Sequence, residues 1–173
     1  MSVRIRSARV TDAPALGSLH VRAWQQAYRG GLMPPAFLDR LSTDDREAMW
    51  RASLSSTTVD RVVRLVAVSS TATEPIGFVV VGPDRGGSEG WGEVAALNVD
   101  PNHWGRGAGR ALLHAGVEHL RAEGFGDALL WVHPDNRRAR RFYERAGWCL
   151  DGAERRDEVM GVEVPGVRYR RAL

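Results

Sequence analysis

The chain has 173 residues, 43% of them hydrophobic, which is enough for one compact domain with one core and too little for two. The net charge of +3 suits an anionic small ligand without demanding nucleic acid, and because all 24 basic residues are arginine, a Walker A loop with its obligatory lysine is excluded. One cysteine rules out an internal disulfide and a cysteine-rich metal site, and no apolar run approaches the roughly 20 residues of a membrane span.

Residues 3–9 alternate apolar and charged, as a strand does and a signal peptide does not, which points to a cytoplasmic protein. Thr11-Asp12-Ala13-Pro14 then supplies a capping hydroxyl, an early acid and a first-turn proline. Leu16, Leu19, Ala23 and Ala27 recur at helical spacing until Arg29-Gly30-Gly31 ends the run. Pro34-Pro35 opens a short helix, and residues 43–52 form another. The β-rich runs 59–69 and 75–81 flank a Ser/Thr turn, and the polar, glycine-rich stretch 83–90 reads as a hairpin loop. Residues 91–99 form a strand that Asp100-Pro101-Asn102 turns. The glycines 105, 107 and 109 lead into a helix with the core stripe Leu112, Leu113, Gly116, Val117 and Leu120. The apolar strand 128–132 closes a βαβ unit, so these two strands should be parallel neighbours with a right-handed crossover. Asn136 caps a helix running to about Ala146, and strands near 148–152 and 164–171 follow, with Cys149 packed in the last hairpin. No repeat or linker divides the chain, so residues 1–173 read as one domain.

The glycine loop is the strongest chemical feature. It lets the backbone approach a ligand closely at a helix N-terminus, where free amides and the helix dipole attract phosphate, and Arg106 and Arg110 add charge there. An ordinary glycine-rich turn would look similar. A dinucleotide fingerprint fits poorly, since Arg110 stands where the third glycine belongs and the next strand lacks the ribose-binding acid.

Residues 97–113, with Gly107 and Gly109 in the glycine positions of Gln/Arg-x-x-Gly-x-Gly/Ala, resemble the acetyl-CoA pyrophosphate motif of the GNAT superfamily. Trp104 replaces the usual glutamine or arginine. Residues 136–148 resemble the family's Asn-x-x-Ala-x-x-Phe-Tyr-x-x-x-Gly-Phe signature, with Trp148 in the last place, and Ile5 to Asp12, Trp24, Tyr28 and Gly30 are similar to many small bacterial members. The resemblance implies an α/β fold of α+β character: a twisted mixed sheet of six or seven strands, helices on both faces, and splayed central parallel strands. It implies an N-acetyltransferase with acetyl-CoA as co-substrate and no metal.

Under that resemblance the strands part near Leu97, Asn98 and Val99, and acetyl-pantetheine lies between them as a pseudo-strand. The amides of Arg106, Gly107, Ala108, Gly109 and Arg110 cradle the pyrophosphate, with Asn136 nearby and the arginines at 137–141 toward the 3′-phosphate. Tyr143 matches the tyrosine near the coenzyme sulfur and takes the acid role, and Glu93 matches a glutamate that deprotonates the amine. A solvent-facing strand carboxylate is the alternative for Glu93, and His20 and His133 are rival bases. Trp24 and Tyr28, one turn apart, line the acceptor wall or form a core stripe. The acceptor is a small-molecule or peptide amine. A non-catalytic acyl-CoA sensor and a nucleic-acid-binding module are the competing classes, and homodimer formation stays open.

Overall fold

The computed structural model describes residues 3–56, 61–69 and 73–173. The expected strand start at 59–60 and most of the Ser/Thr turn lie outside these. The elements run β1 (Val3–Ser7), α1 (Ala13–Tyr28), α2 (Pro35–Asp39), α3 (Thr43–Ser55), β2 (Val63–Ser69), β3 (Pro75–Pro83), β4 (Trp91–Val99), α4 (Ala108–Ala122), β5 (Asp127–Val132), α5 (Arg137–Arg145), β6 (Cys149–Val159) and β7 (Val162–Ala172). The strands form a seven-stranded sheet in the order β1-β2-β3-β4-β5-β7-β6. Only the β4–β5 pair is parallel, and α4 supplies its crossover.

Helices cover both faces of the sheet. On one face Leu112, Leu113, Val117 and Leu120 of α4 pack with Val79, Val81, Val94 and Val99, joined by Ala139, Phe142 and Tyr143 of α5. On the other, Ala13, Leu16 and Leu19 of α1 and Trp50 of α3 pack on Val66, Val68 and Phe78. A third cluster joins Val21 and the α2 residues Phe37 and Leu38 to Val159, Val162 and Val164. The β6–β7 hairpin tip therefore rests on the helices of the α1 face.

Two features of β4 shape the middle of the sheet. In the β3–β4 ladder Val81 pairs with Val94 and Val80 with Ala96, so Ala95 is an extra residue. Such a bulge bends its strand and raises the local twist. Parallel pairing of β4 with β5 is confined to Trp91↔Asp127, Gly92↔Ala128 and Glu93↔Leu129. The strands thus separate directly after Glu93, earlier than the expected parting near Leu97, because the bulge carries β4 away from β5.

Three local expectations need correction. The start of α1 is not capped by Thr11: a short 3-10 turn (Val10–Asp12) precedes it, and the Asp12 carboxylate instead binds the Arg6 guanidinium (2.7 and 2.8 Å) and the Arg9 amide (2.8 Å). The last two strands are each 11 residues, far longer than expected. Residues 154–158, Glu-Arg-Arg-Asp-Glu, carry no strand-like apolar pattern; cross-strand pairing such as Arg156 with Glu163 and a two-residue turn at Met160 and Gly161, both at positive φ, hold them in register. Cys149 is exposed at the start of β6 rather than packed.

Candidate active site

The gap between β4 and β5 defines a cleft with its apex at Glu93. Leu97, Asn98 and Val99 pair with β3 along one edge only, through Val79, Phe78 and Gly77. Their other edge has no β5 partner and offers backbone groups to the cleft. Val99 is the exception, since its carbonyl accepts the indole N–H of Trp104 at 2.8 Å. Arg138 of α5 lies over that indole, 3.2 Å from the ring centroid, so the stack links the turn after β4 to the helix after β5.

At the mouth of the cleft, α4 begins without a side-chain cap. Asp100, Ser42 and Asn136 each cap their helices by accepting from a backbone amide, but Gly107 has no side chain to do so. Its φ of +89° is one that few other residues adopt. The amides at the start of α4 are left for an anion, with the exposed Arg106 and Arg110 beside them and neither holding an ion pair among the described residues. Ala108 is buried beneath the loop. Gly109 is already helical, and an added Cβ would lie 3.6 Å from Phe142 and Val99, an ordinary contact, so neither backbone conformation nor the surrounding protein atoms demand glycine there. Asn136 spends its carbonyl oxygen on the Ala139 amide at 3.1 Å, which makes it the cap of α5.

Tyr143 is buried among Phe142, Trp148 and Tyr169, with ring centroids 5.0, 6.3 and 6.4 Å away. Burial chiefly, and the nearby Tyr28 phenol secondarily, raise its pKa well above the ordinary phenol value. It therefore stays a protonated donor at neutral pH. Its helix is latched to β7: Arg140 donates to the Tyr169 hydroxyl (3.0 Å), which in turn donates to Glu144 (2.6 Å). The Tyr28 phenol, one of the acceptor-wall candidates, lies close enough to act on the charge state of Tyr143. Trp24 and Tyr28 are half-buried, 5.1 Å apart by centroids.

Glu93 is neither solvent-facing nor free. It is 1% exposed, and Arg85 supplies three hydrogen bonds: its amide (3.1 Å) and Nε (2.8 Å) to Oε2, and Nη2 to Oε1 (2.6 Å). A carboxylate offers about four lone-pair sites, so roughly one remains, on Oε1. The rival bases fare differently. Burial, with a smaller contribution from the Arg46 charge, pulls His20 from 6.5 to about 4, far from the range of an effective base at neutral pH. His133 Nδ1 accepts the Asp135 amide at 3.2 Å, a turn contact.

Two further residues tie the halves together. Asp100, which caps the turn after β4, binds Arg22 of α1 at 2.6 and 3.0 Å. Burial alone would raise its pKa, but Arg22 and the Asn102 amide hold it below the usual carboxylate value. Arg22 and Arg85 carried no sequence signal, because their partners lie in other elements. Asp100 stood in a recognisable turn, and only its partner was hidden.

Residues 21–148 match the Acetyltransferase (GNAT) family. The chain belongs to that family. It is 28% identical to a probable N-acetyltransferase of Mycobacterium tuberculosis over 170 residues, covering 98% of this chain and 93% of the relative. A mycothiol acetyltransferase of Kocuria rhizophila is 42% identical over 93 residues, half of this chain and 31% of that protein. Among solved structures, a GCN5-related N-acetyltransferase from Rhodopseudomonas palustris superposes with a TM-score of 0.79 at 21% identity, covering 100% and 97% of the two chains. The PaiA N-acetyltransferase of Thermoplasma acidophilum, in complex with coenzyme A, gives 0.71 at 17% identity over the full length of both. These relatives make the GNAT protein described here an acetyltransferase. Among its described residues no helix is long and apolar enough to cross a membrane.

Proposed function

We propose that this GNAT protein transfers an acetyl group from acetyl-CoA to a primary amine by direct attack in a ternary complex. The observation that carries the reading is a protonated, buried phenol, Tyr143, coupled to Tyr28 beside a cleft whose mouth is an uncapped helix N-terminus. The chain's groups fit the coenzyme: the first amides of α4 with Arg106 and Arg110 would hold the pyrophosphate, and the unpaired edge of β4 would hold the pantetheine arm. A relative of the same fold was solved with coenzyme A, which agrees with this fit.

The coenzyme supplies the thioester; the chain supplies position and protons. The amine nitrogen forms the new C–N bond as the C–S bond breaks, and the departing sulfur takes the proton of Tyr143. The surplus proton of the amine passes to the remaining acceptor site of Glu93, directly or through one water. Trp24 and Tyr28 form the wall along which the amine approaches.

A thiol-release assay over an amine panel tests this, with Tyr143→Phe as the diagnostic variant. Turnover should fall by about 10- to 1,000-fold while acetyl-CoA affinity is retained, because the ring's packing survives and only the proton is lost. An equal rate with chemistry limiting would reduce Tyr143 to a packing residue. Failure of acetyl-CoA to bind at all would sink the coenzyme assignment itself.

A further inference from the structure

Arg46 is the fourth residue of α3, within the first turn, where the positive end of the helix dipole opposes a cation. It gains nothing from its place in the helix. Its side chain is half-buried, yet its hydrogen-bond partners are two sulfurs: Met49 at 3.6 Å and Met160, in the β6–β7 turn, at 4.0 Å. No carboxylate lies within ion-pair distance among the described residues. The other half-buried arginines there all have an oxygen partner, by hydrogen bond or ion pair. Arg6, Arg155 and Arg168 hold aspartates, Arg64 holds the Ser53 hydroxyl, and Arg140 and Arg171 hold main-chain carbonyls. Desolvation accordingly lowers the Arg46 pKa, with Asp45 offsetting it only in part. A cation kept partly dry without a counter-ion is stabilised when an anion arrives.

Its surroundings say where that anion would sit. The guanidinium lies 5.6 Å from the Trp24 ring centroid. Trp24 is 5.1 Å from Tyr28, whose phenol neighbours Tyr143. On the other side Trp24 meets His20 at 5.7 Å, and His20 Nδ1 is a buried nitrogen with no hydrogen-bond partner among the described residues, close enough for Arg46 to act on its charge state. From Tyr28 to the cation there is one continuous wall: Tyr28, Trp24, Arg46.

We propose that the acceptor is an amine carrying a carboxylate at its far end, with the amine at Tyr143 and the carboxylate held by Arg46. This rests on the transferase reading above. The apolar span of the acceptor would lie along Trp24, and His20 Nδ1 would supply a second polar contact to the carboxylate. Arg46 is then a specificity residue that acts in binding and takes no part in proton transfer.

The test compares ω-amino acids, from β-alanine upward in chain length, with uncharged alkylamines of equal length. For the best-fitting length, kcat/KM should favour the amino acid by at least about 10-fold, the size of one charge-assisted pair, with the difference in KM. Arg46→Gln should erase that preference by lowering kcat/KM for the amino acid at least about 10-fold more than for the alkylamine, and Arg46→Lys should restore part of it. Equal use of both amine classes by the parent, or an equal loss for both in Arg46→Gln, would overturn the proposal. Calorimetric titration of the matching N-acetyl-ω-amino acid into the coenzyme A complex reads the same site without turnover: binding should be measurable in the parent and lost in Arg46→Gln. Absence of binding in the parent overturns the Arg46 site, whereas binding without acetylation of any amine would refute the transferase reading and leave the Arg46 site standing.

Discussion

His20 should set the acid stability of the fold. In the unfolded chain it takes up a proton near pH 6.5; in the folded protein burial and the Arg46 charge delay this to about pH 4. Between those values the unfolded state binds the extra proton, so the stabilisation is complete above pH 6.5 and is lost progressively as pH falls toward 4. At about 1.4 kcal/mol for each tenfold change in proton affinity, the loss amounts to about 3 kcal/mol. For a chain of this size that corresponds to roughly 6–12 °C in melting temperature. Other groups titrate in the same direction: His133 is also held low by burial, and Asp12 and Asp100 are held below the usual carboxylate value despite burial. The comparison that isolates His20 is therefore the parent against His20→Phe. That variant keeps an aromatic ring against Phe78 and Trp24 and gives up no hydrogen bond made by Nδ1. Urea denaturation at a series of pH values from 8 to 4.5 should show the parent losing stability relative to the variant, with the gap opening below pH 6.5. Parallel acid limbs in the two proteins would refute the buried, neutral state of His20.

Two other perturbations address the cleft and the scaffold. In Glu93→Gln kcat/KM at neutral pH should fall, with partial recovery at high pH as free amine becomes abundant; an unchanged rate would make Glu93 and Arg85 a purely structural pair. Gly17→Ala should cost about 1–3 kcal/mol in urea denaturation, because its Cβ would lie 2.8 Å from the Glu47 amide nitrogen and force α1 away from α3; equal stability would show that the two helices can slide apart freely.

The order of elements was legible because it is written in local chemistry. The α4 stripe at 112, 113, 116, 117 and 120 buries as a helix of that period must, and Asn136 caps the helix that follows it. The long β6–β7 hairpin was not legible, because charged residues 154–158 are held by cross-strand pairing and by a turn with positive φ at Met160, which sequence does not advertise. The candidate site divides the same way. The glycine loop and Tyr143 stand in contiguous motifs, whereas the Arg85–Glu93, Arg22–Asp100 and Arg46–Trp24 contacts join residues that fall in different elements. The strand Trp91–Val99 was recognisable as a strand but not as a bent one, since Ala95-Ala96 fits either face of a sheet.

That unpaired alanine also reverses the alternation of β4. Before it, Gly92 and Val94 face α4; after it, Leu97 and Val99 do, while Ala96 turns toward α1 and α3. Even and odd positions exchange sides at a single residue. Removing Ala95 would restore simple alternation with Leu97 and Val99 still on the α4 face, but without the bulge that carries β4 away from β5. The opening of the cleft is thus encoded in the number of residues more than in their identity. Drift in side chains along β4 leaves it intact, whereas loss of the one extra residue would remove the bend.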